Sequence, residues 1–382
     1  MFHVATPEEI KKGKTTDIYF ARTKEILQTK RISKNVVMEV IASSLPYNWG
    51  ILAGVEEAAQ LFEGYKCDVY SMPEGSLFYS GEPVFRVEGK YEEFCELETP
   101  LLGFLCQASG IATKAARMRK LADDKLIISF GIRRMHPAIA PMIDRVAYIG
   151  GVDGFSGIAA EKFVGKKSTG TMPHALIITV GDQVKAWQYF DEVMEKNIPR
   201  IALVDTYYDE KTEAIMAAKA LKKLHGVRLD TPGSRKGNMK KIVDEVRWEL
   251  DVRGFKNVKI IVSGSIDEEA IRELSNADGF GVGTSISNAK TIDFAMDIIE
   301  MEGKPVAKRG KLGGKKEVYR CPKCLKGKVV YYKHANRITC ECGAKMKSML
   351  ELLIKNGELN KKLPIVEEIR NYVLTQIEKA EI

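Results

Sequence analysis

No stretch of this 382-residue sequence approaches eighteen consecutive apolar residues, so no segment reads as a membrane-spanning helix. The first residues, Met1 to Lys14, are polar and include Glu8, Glu9, Lys11 and Lys12. They lack the apolar core and cleavage site of a secretory signal, so a cytoplasmic location is expected. Glutamine is scarce, at six residues, while Lys and Glu abound, a balance that leans towards heat-adapted proteins. No internal repeat or low-complexity tract interrupts the chain. Apolar residues make up 45% and charged residues 29%, too apolar for a disordered chain and without the glycine period of a collagen. The length suggests two or three domains.

The net charge of +8 is unevenly placed. Between Lys304 and Lys347 stand 14 Lys and Arg against two acids, Glu317 and Glu341, about +12, which leaves the rest of the chain near −4. A nucleic-acid role through phosphate contacts is therefore open only for this segment, beside the plainer reading of a solvated basic surface or one facing an acidic partner. The cysteines divide in the same way. Cys67, Cys95 and Cys106 stand singly in apolar surroundings and read as buried thiols. Cys321-Pro-Lys-Cys324 and, 15 residues on, Cys340-Glu-Cys342 have the spacing of four thiolates around one tetrahedral zinc ion. The intervening Lys328–Lys333 is strand-like, as in a zinc ribbon, and His334 reads as a loop residue rather than a ligand. With no fifth ligand in view, the site is expected to be closed and structural, the ion replacing a core too small to form.

From about residue 125 apolar runs of strand length alternate with helical stretches. The runs are Leu126–Phe130, Ile201–Val204, Val227–Leu229, Val258–Val262 and Gly279–Val282; the helices are His136–Ile149, Asp209–Leu224, Gly237–Val252 and Asp267–Leu274. Continuous apolar strands with helical crossovers predict a parallel sheet, either an α/β barrel or an open doubly wound sheet. The first 110 residues instead mix strands (Asn35–Ala42, Pro83–Val87) with helices (Leu52–Phe62, Glu96–Ile111), an α+β arrangement. The tail from about Leu350 reads as amphipathic helix.

In parallel α/β folds the chemistry lies where strands end. Each run here is followed by charged or Gly/Ser/Thr-rich residues: Gly131 to Arg134 and His136, Asp205 to Asp209, Arg228 to Asp230, Ser263-Gly264-Ser265, and Gly281-Val-Gly283-Thr284-Ser285. Five such loops at matching positions imply one polar pocket. The last two, rich in glycine and each ahead of a helix, suit a phosphate, although Ser263–Ser265 also suits a simple helix cap. Asp205, Asp209 and Asp230 suit ribose hydroxyls or Mg²⁺, with helix capping as the alternative. Arg134 and Arg228, beside apolar strands, require an anionic partner. In Ser168-Thr-Gly170-Thr171-Met-Pro-His174 the histidine is either a nucleophile or proton carrier or a structural residue.

Taken in order, these residues resemble the nicotinate phosphoribosyltransferases. The resemblance covers most of the chain and rests on Thr16-Asp-Ile-Tyr19, Glu98 with Phe104–Thr113, Phe130–Arg134, Gly154-Phe-Ser-Gly157, Gly170–His174, Asp205–Asp209 and Arg228-Leu-Asp230. The Glu98 helix is also similar to one in quinolinate phosphoribosyltransferases, and some archaeal members carry a cysteine-rich metal module like this one. Two positions depart from the family pattern: Ala175 stands where Ser is common after the histidine, and Phe155-Ser-Gly157 replaces a more usual Thr-Ser-Asn.

The resemblance implies an α/β fold in three parts: an N-terminal α/β sandwich over residues 1–112, completed by C-terminal helices; an irregular α/β barrel with parallel strands over 113–300; and a C-terminal segment, 301–382, with a zinc-ribbon-like module at about 316–347. It implies a homodimer or larger homo-oligomer in which Tyr19 reaches the partner subunit's site and stacks on the pyridine ring, with Phe155 as the opposing face. Arg134 and Arg228 would lie by the nicotinate carboxylate and phosphates, Asp205 and Asp230 by the ribose, with Thr171 also in the substrate site. Ser263, Gly264, Gly283 and Thr284 would hold the 5′-phosphate, and His174 would be phosphorylated by ATP. The implied reaction joins nicotinate to phosphoribosyl pyrophosphate, with Mg²⁺, in NAD biosynthesis. Two alternatives remain: a decarboxylating quinolinate phosphoribosyltransferase, using Lys162, Lys166 and Lys167 for a second carboxylate, and a zinc-ribbon nucleic-acid binder.

Overall fold

The computed structural model describes residues 2–235, 237–332 and 338–382, so His334 and Lys333 lie outside the described residues. The chain divides into two units, one of Met1–Ala116, Ile149–Gly151 and Lys290–Ile382, the other of Arg117–Tyr148 and Val152–Ala289.

The first unit is built on strand Asn35–Ala42, whose Val36, Met38, Val40 and Ala42 are all buried. It pairs antiparallel with Phe294–Met301 on one side and Pro83–Lys90 on the other. Cys67–Ser71, Glu351–Lys355 and Glu358–Leu359 extend the sheet from one edge and Lys304–Pro305 from the other, giving seven strands. Helix Val55–Phe62 turns an apolar face of Val55, Ala58, Ala59, Leu61 and Phe62 inward, at the spacing one helical stripe requires. Phe62 lies 6.0 Å from Phe85 and 6.5 Å from Phe94, ring centre to ring centre. The start of the long helix Glu98–Ala122 adds Leu101 and Leu105 to this core.

The tail departs from the helix expected from Leu350. Residues Glu351–Lys355 form a strand beside Cys67–Ser71, and the helix begins only at Val366, running to Ile377. A short run such as Leu352-Leu353-Ile354 suits either element, and the turn decides. Asn356 and Gly357 both take positive φ, 49° and 83°, and fold the chain into the hairpin pairing Ile354 with Leu359. The final helix docks through Gln376, whose side chain accepts from the Leu77 N–H at 2.9 Å and donates to the Gly75 carbonyl at 2.9 Å.

The cysteine module is a small antiparallel sheet of Lys316–Arg320 with Gly327–Tyr331 and Lys347–Ser348. Its charge is answered from within the unit. Among the described residues, six of the fourteen basic residues of Lys304–Lys347 pair with acids: Lys308 and Lys311 with Asp297, Lys315 with Glu88, Lys316 with Glu39, Arg320 with Glu82, and Lys326 with Glu341. Five of these six thus answer acids on strands of the sandwich sheet or the turn beside them, so part of the expected solvated basic face is an internal counter-charge.

The second unit is a six-stranded parallel half-barrel sheet, in the order Gly154–Phe155, Leu126–Ser129, Gly279–Val282, Lys259–Ser263, Gly226–Leu229, Ile201–Leu203. Every pair is parallel. The crossover helices Ala140–Ile149, Glu210–Ala220, Met239–Val252 and Glu268–Glu273 match the predicted stretches, three of them starting on the side-chain caps Asp209, Asn238 and Asp267. No helix of the described residues is long and apolar enough to cross a membrane.

Candidate active site

Parallel register places the carboxyl ends of these strands at one rim, and there the barrel unit opens a cavity of about 810 Å³. Arg134, Thr171, Arg228, Asp230, Ser263, Gly264, Gly283 and Thr284 all line it, joined by Arg133, Ser156 and Ser265, which stand in the same motifs but were assigned no individual substrate contact. Arg228 is its hub. Its Nε donates to Ser263 Oγ at 3.1 Å, its Nη2 to Asp230 Oδ2 at 3.0 Å, and its Nη1 to Thr171 Oγ1. Ser263 in turn donates to Asp230 Oδ1 at 2.6 Å. Gly281 makes this packing possible: a Cβ there would lie 2.5 Å from the ring of Phe130, over which the Arg228 guanidinium sits at 5.6 Å. After Ser263 the backbone passes through two left-handed residues, Gly264 at φ 83° and Ser265 at φ 56°. A serine held there is strained, a feature that clusters at ligand-binding turns.

His174 opens the helix His174–Val180. Its Nδ1 lies 3.1 Å from Thr206 Oγ1, and its Nε2 faces Asp205 Oδ1 at 3.6 Å and Asp230 Oδ2 at 3.8 Å. Asp205 is almost wholly buried, its side chain 3% exposed, and its Oδ2 accepts from the Asp230 N–H at 2.6 Å. Burial pushes its carboxyl above the usual range, against the pull of the Asp230 N–H and of His174. Its Oδ1 is buried without a hydrogen bond. Asp209, by contrast, is a cap: it accepts from the N–H and hydroxyl of Thr212 at 2.9 and 2.7 Å.

Phe155 does not line this cavity. Phe155 is 1% exposed and packs edge-on to Tyr148 at 6.2 Å, while its neighbour Ser156 faces the cavity. Its apolar ring fills space beneath the rim. Tyr19 belongs to the first unit, is 56% exposed, and donates to Asp17 Oδ2 at 3.1 Å.

Asp144 was missed because it reads as one polar residue in an amphipathic helix. It is fully buried, accepting from the Ser129 hydroxyl and the Gly157 N–H, both at 2.9 Å, and so ties two strand-end loops together. Burial pushes its carboxyl up to about 6, only partly opposed by these two bonds. The native state thus keeps a proton that the unfolded chain releases, and stability from this group falls as pH rises from about 4 to about 6. Asp144→Asn can still accept from Gly157 and donate to Ser129. The difference between stabilities from urea unfolding at pH 4.5 and 6.5 should shrink in the variant by at most about 3 kcal/mol, the remainder belonging to other raised carboxyls such as Asp205 and Glu98; an equal difference in both proteins would refute the assignment.

The four module cysteines converge as well. Their sulfurs all lie within 4.8 Å of one another, with Cys321 to Cys342 and Cys324 to Cys340 each 3.5 Å apart. Zn–S bonds of about 2.3 Å in a tetrahedron require sulfurs about 3.8 Å apart, so the donor set fits one zinc ion.

Residues 17–109 and 111–297 match the family models described as the N-terminal and C-terminal domains of quinolinate phosphoribosyl transferase. A nicotinate phosphoribosyltransferase of Mycobacterium tuberculosis is 32% identical over 273 residues, 67% of this chain and 59% of that protein. The Bacillus subtilis nicotinate phosphoribosyltransferase is 29% identical over 314 residues, 72% of this chain and 63% of that protein. A crystal structure of nicotinate-nucleotide pyrophosphorylase from Pyrococcus furiosus is 57% identical, covers 100% of this chain and 99% of that one, and superposes with a TM-score of 0.98. The chain belongs to the nicotinate phosphoribosyltransferase family. It spans about three fifths of the length of the first two of these curated relatives. The nicotinate phosphoribosyltransferase fold extends further: the human nicotinic acid phosphoribosyltransferase structure is 19% identical, with a TM-score of 0.73 over 96% of this chain and 94% of that one.

Proposed function

We propose that this chain joins nicotinate to phosphoribosyl pyrophosphate, giving nicotinate mononucleotide and pyrophosphate, as a step of NAD biosynthesis. The observation that carries this reading is the single cavity in which Arg134, Arg228, Asp230, Ser263–Ser265 and Gly283–Thr284 meet. The pyridine nitrogen attacks the anomeric carbon of the ribose, and the bond to pyrophosphate breaks. Positive charge grows on the sugar, where Asp230 answers it; negative charge grows on the leaving group, where Arg228 and Arg134 answer it. The ring nitrogen already carries its lone pair, so no general base is needed, and catalysis is positioning plus electrostatics. The strained Gly264–Ser265 turn and the Gly283–Thr284 turn hold the 5′-phosphate. Asp205 and Asp230 are the carboxylates that suit a Mg²⁺ ion, Asp205 Oδ1 being buried without a hydrogen bond. Such an ion neutralises pyrophosphate when bound. A second copy completes the reading, Tyr19 being exposed on the first unit as a residue donated to the partner subunit's site requires.

The quinolinate alternative has less support from geometry. Lys162, Lys166 and Lys167 line a separate hollow with Ile158 and Gly165, and Lys167 pairs with Glu161 at 2.9 Å. The nucleic-acid alternative is weakened by the internal pairing of the basic segment. Incubating the protein with phosphoribosyl pyrophosphate, Mg²⁺ and each of nicotinate, nicotinamide and quinolinate, with and without ATP, and separating the mononucleotides tests the reading directly. Product from quinolinate alone would overturn it.

ATP coupling through His174 is part of the same proposal. The imidazole is 35% exposed, so one edge is open to a phosphoryl donor, while Asp205 and Asp230 flank Nε2. His174→Ala should abolish ATP stimulation and leave slow, ATP-independent turnover. Undiminished stimulation in that variant would remove His174 from the coupling step.

A further inference from the structure

Helix Glu210–Ala220 starts on the Asp209 cap, and Glu213 stands in its first turn. An acid there is common on helix surfaces, because the N-terminal dipole favours it. Glu213, however, is fully buried, and its carboxylate turns back onto the loop before the helix. Its Oε1 accepts from the Tyr207 N–H at 2.7 Å and the Tyr208 N–H at 3.0 Å, and its Oε2 from the Thr206 N–H at 3.1 Å. Three consecutive backbone donors thus converge on one carboxylate, and each would otherwise lack a partner. The first of the three belongs to Thr206, whose hydroxyl holds Nδ1 of His174.

We propose that Glu213 is a positioning residue for His174. It fixes the backbone of Thr206 so that the hydroxyl of that residue sets the rotation of the imidazole, which leaves Nε2 turned towards Asp205 and Asp230. This rests on the reading of His174 given above, but its geometry can be tested apart from it. Glu213→Gln is a selective probe. The amide oxygen can keep the two bonds to Tyr207 and Tyr208, which places the NH₂ group against the Thr206 N–H, donor against donor. Thr206→Val removes only the hydroxyl.

Both variants are to be compared with the full-length wild type for the ratio of turnover with ATP to turnover without it, and for the ¹⁵N shift of Nδ1 of His174. Each variant should lower the ratio by about ten- to a hundredfold, the cost of displacing a reacting group by about an ångström. Glu213→Gln added to Thr206→Val should have little further effect, since both act through one contact. The Nδ1 shift should move in both variants as the hydrogen bond to Thr206 is lost. An unchanged Nδ1 shift in folded Glu213→Gln overturns the positioning role whatever the turnover. Absence of ATP stimulation in the wild type, with the Nδ1 shift moving as expected, would instead reject the coupling reading and leave the positioning role standing.

Discussion

Replacing Arg228 with alanine is expected to lower kcat/KM for nicotinate mononucleotide formation by about a thousandfold, the upper end of what one preorganised charged donor contributes. The size follows from its three bonds. Arg228 binds residues from three strand-end loops, Thr171, Asp230 and Ser263, and its side chain is only 14% exposed. Alanine removes the positive charge next to the departing pyrophosphate. It also leaves Asp230 with the hydroxyl of Ser263 but without its cation, and frees Thr171 from the rim. Arg228→Lys should recover little. An ammonium on a flexible stem cannot direct three donors along three fixed directions, as a planar guanidinium does. Asp230→Asn should cost less, because the amide keeps an acceptor for Ser263 or Arg228. Steady-state kinetics with both substrates varied, together with a melting curve for each variant, separates lost chemistry from lost folding. Wild-type kcat/KM in Arg228→Lys would show that the guanidinium fork is not what the rim requires.

That hub was half visible in the sequence. Arg228, Asp230, Ser263 and Gly283 were legible because a parallel strand is an apolar run, and whatever polar residue follows it must stand at the rim. Their mutual bonds were not, since nothing in a linear order says that Arg228 points at Thr171 rather than at solvent. Glu213 and Asp144 escaped for a related reason. Each lies on a helix whose periodic pattern tolerates one acid, and only the fold shows that both are fully buried beneath loops. The tail strand Glu351–Lys355 was lost to the ambiguity of a short apolar run, settled by the Asn356-Gly357 turn and by a partner strand about 280 residues earlier. Phe155 was placed by resemblance at the substrate; in this chain its ring packs on Tyr148. The basic segment shows the same limit with charges, because Glu39, Glu82 and Glu88, which pair with Lys316, Arg320 and Lys315, precede it by more than two hundred residues.

Those distant pairs make metal removal the largest expected effect on stability. Among the described residues, the module's own apolar cluster is Cys321, Cys340 and Met346, with Tyr319, Ile338 and Ala344 packed around it, too small to fold unaided. One zinc ion per chain is expected, and stripping it, or Cys321→Ser, should melt the module. The damage should then spread into the sandwich. Strand Lys316–Arg320 buries Val318 completely, Arg86 donates to Glu317 and to the Lys316 carbonyl, both at 3.0 Å, and Lys316 reaches Glu39 at 2.6 Å. Arg320 meets Glu82, each side chain 5% exposed. If that strand frays, Glu39 and Glu82 are left as buried carboxylates without their cations, each worth about 3–5 kcal/mol of destabilisation, and Arg86 keeps only Glu88 at 2.8 Å. A fall in melting temperature of at least about 10 °C is therefore expected. Lys326→Ala, which breaks a pair 64% and 84% exposed on the same module, should leave the melting temperature essentially unchanged. Metal analysis alongside calorimetry decides the matter: a metal-free chain that melts with the untreated protein would mean that the four thiols hold no structural ion.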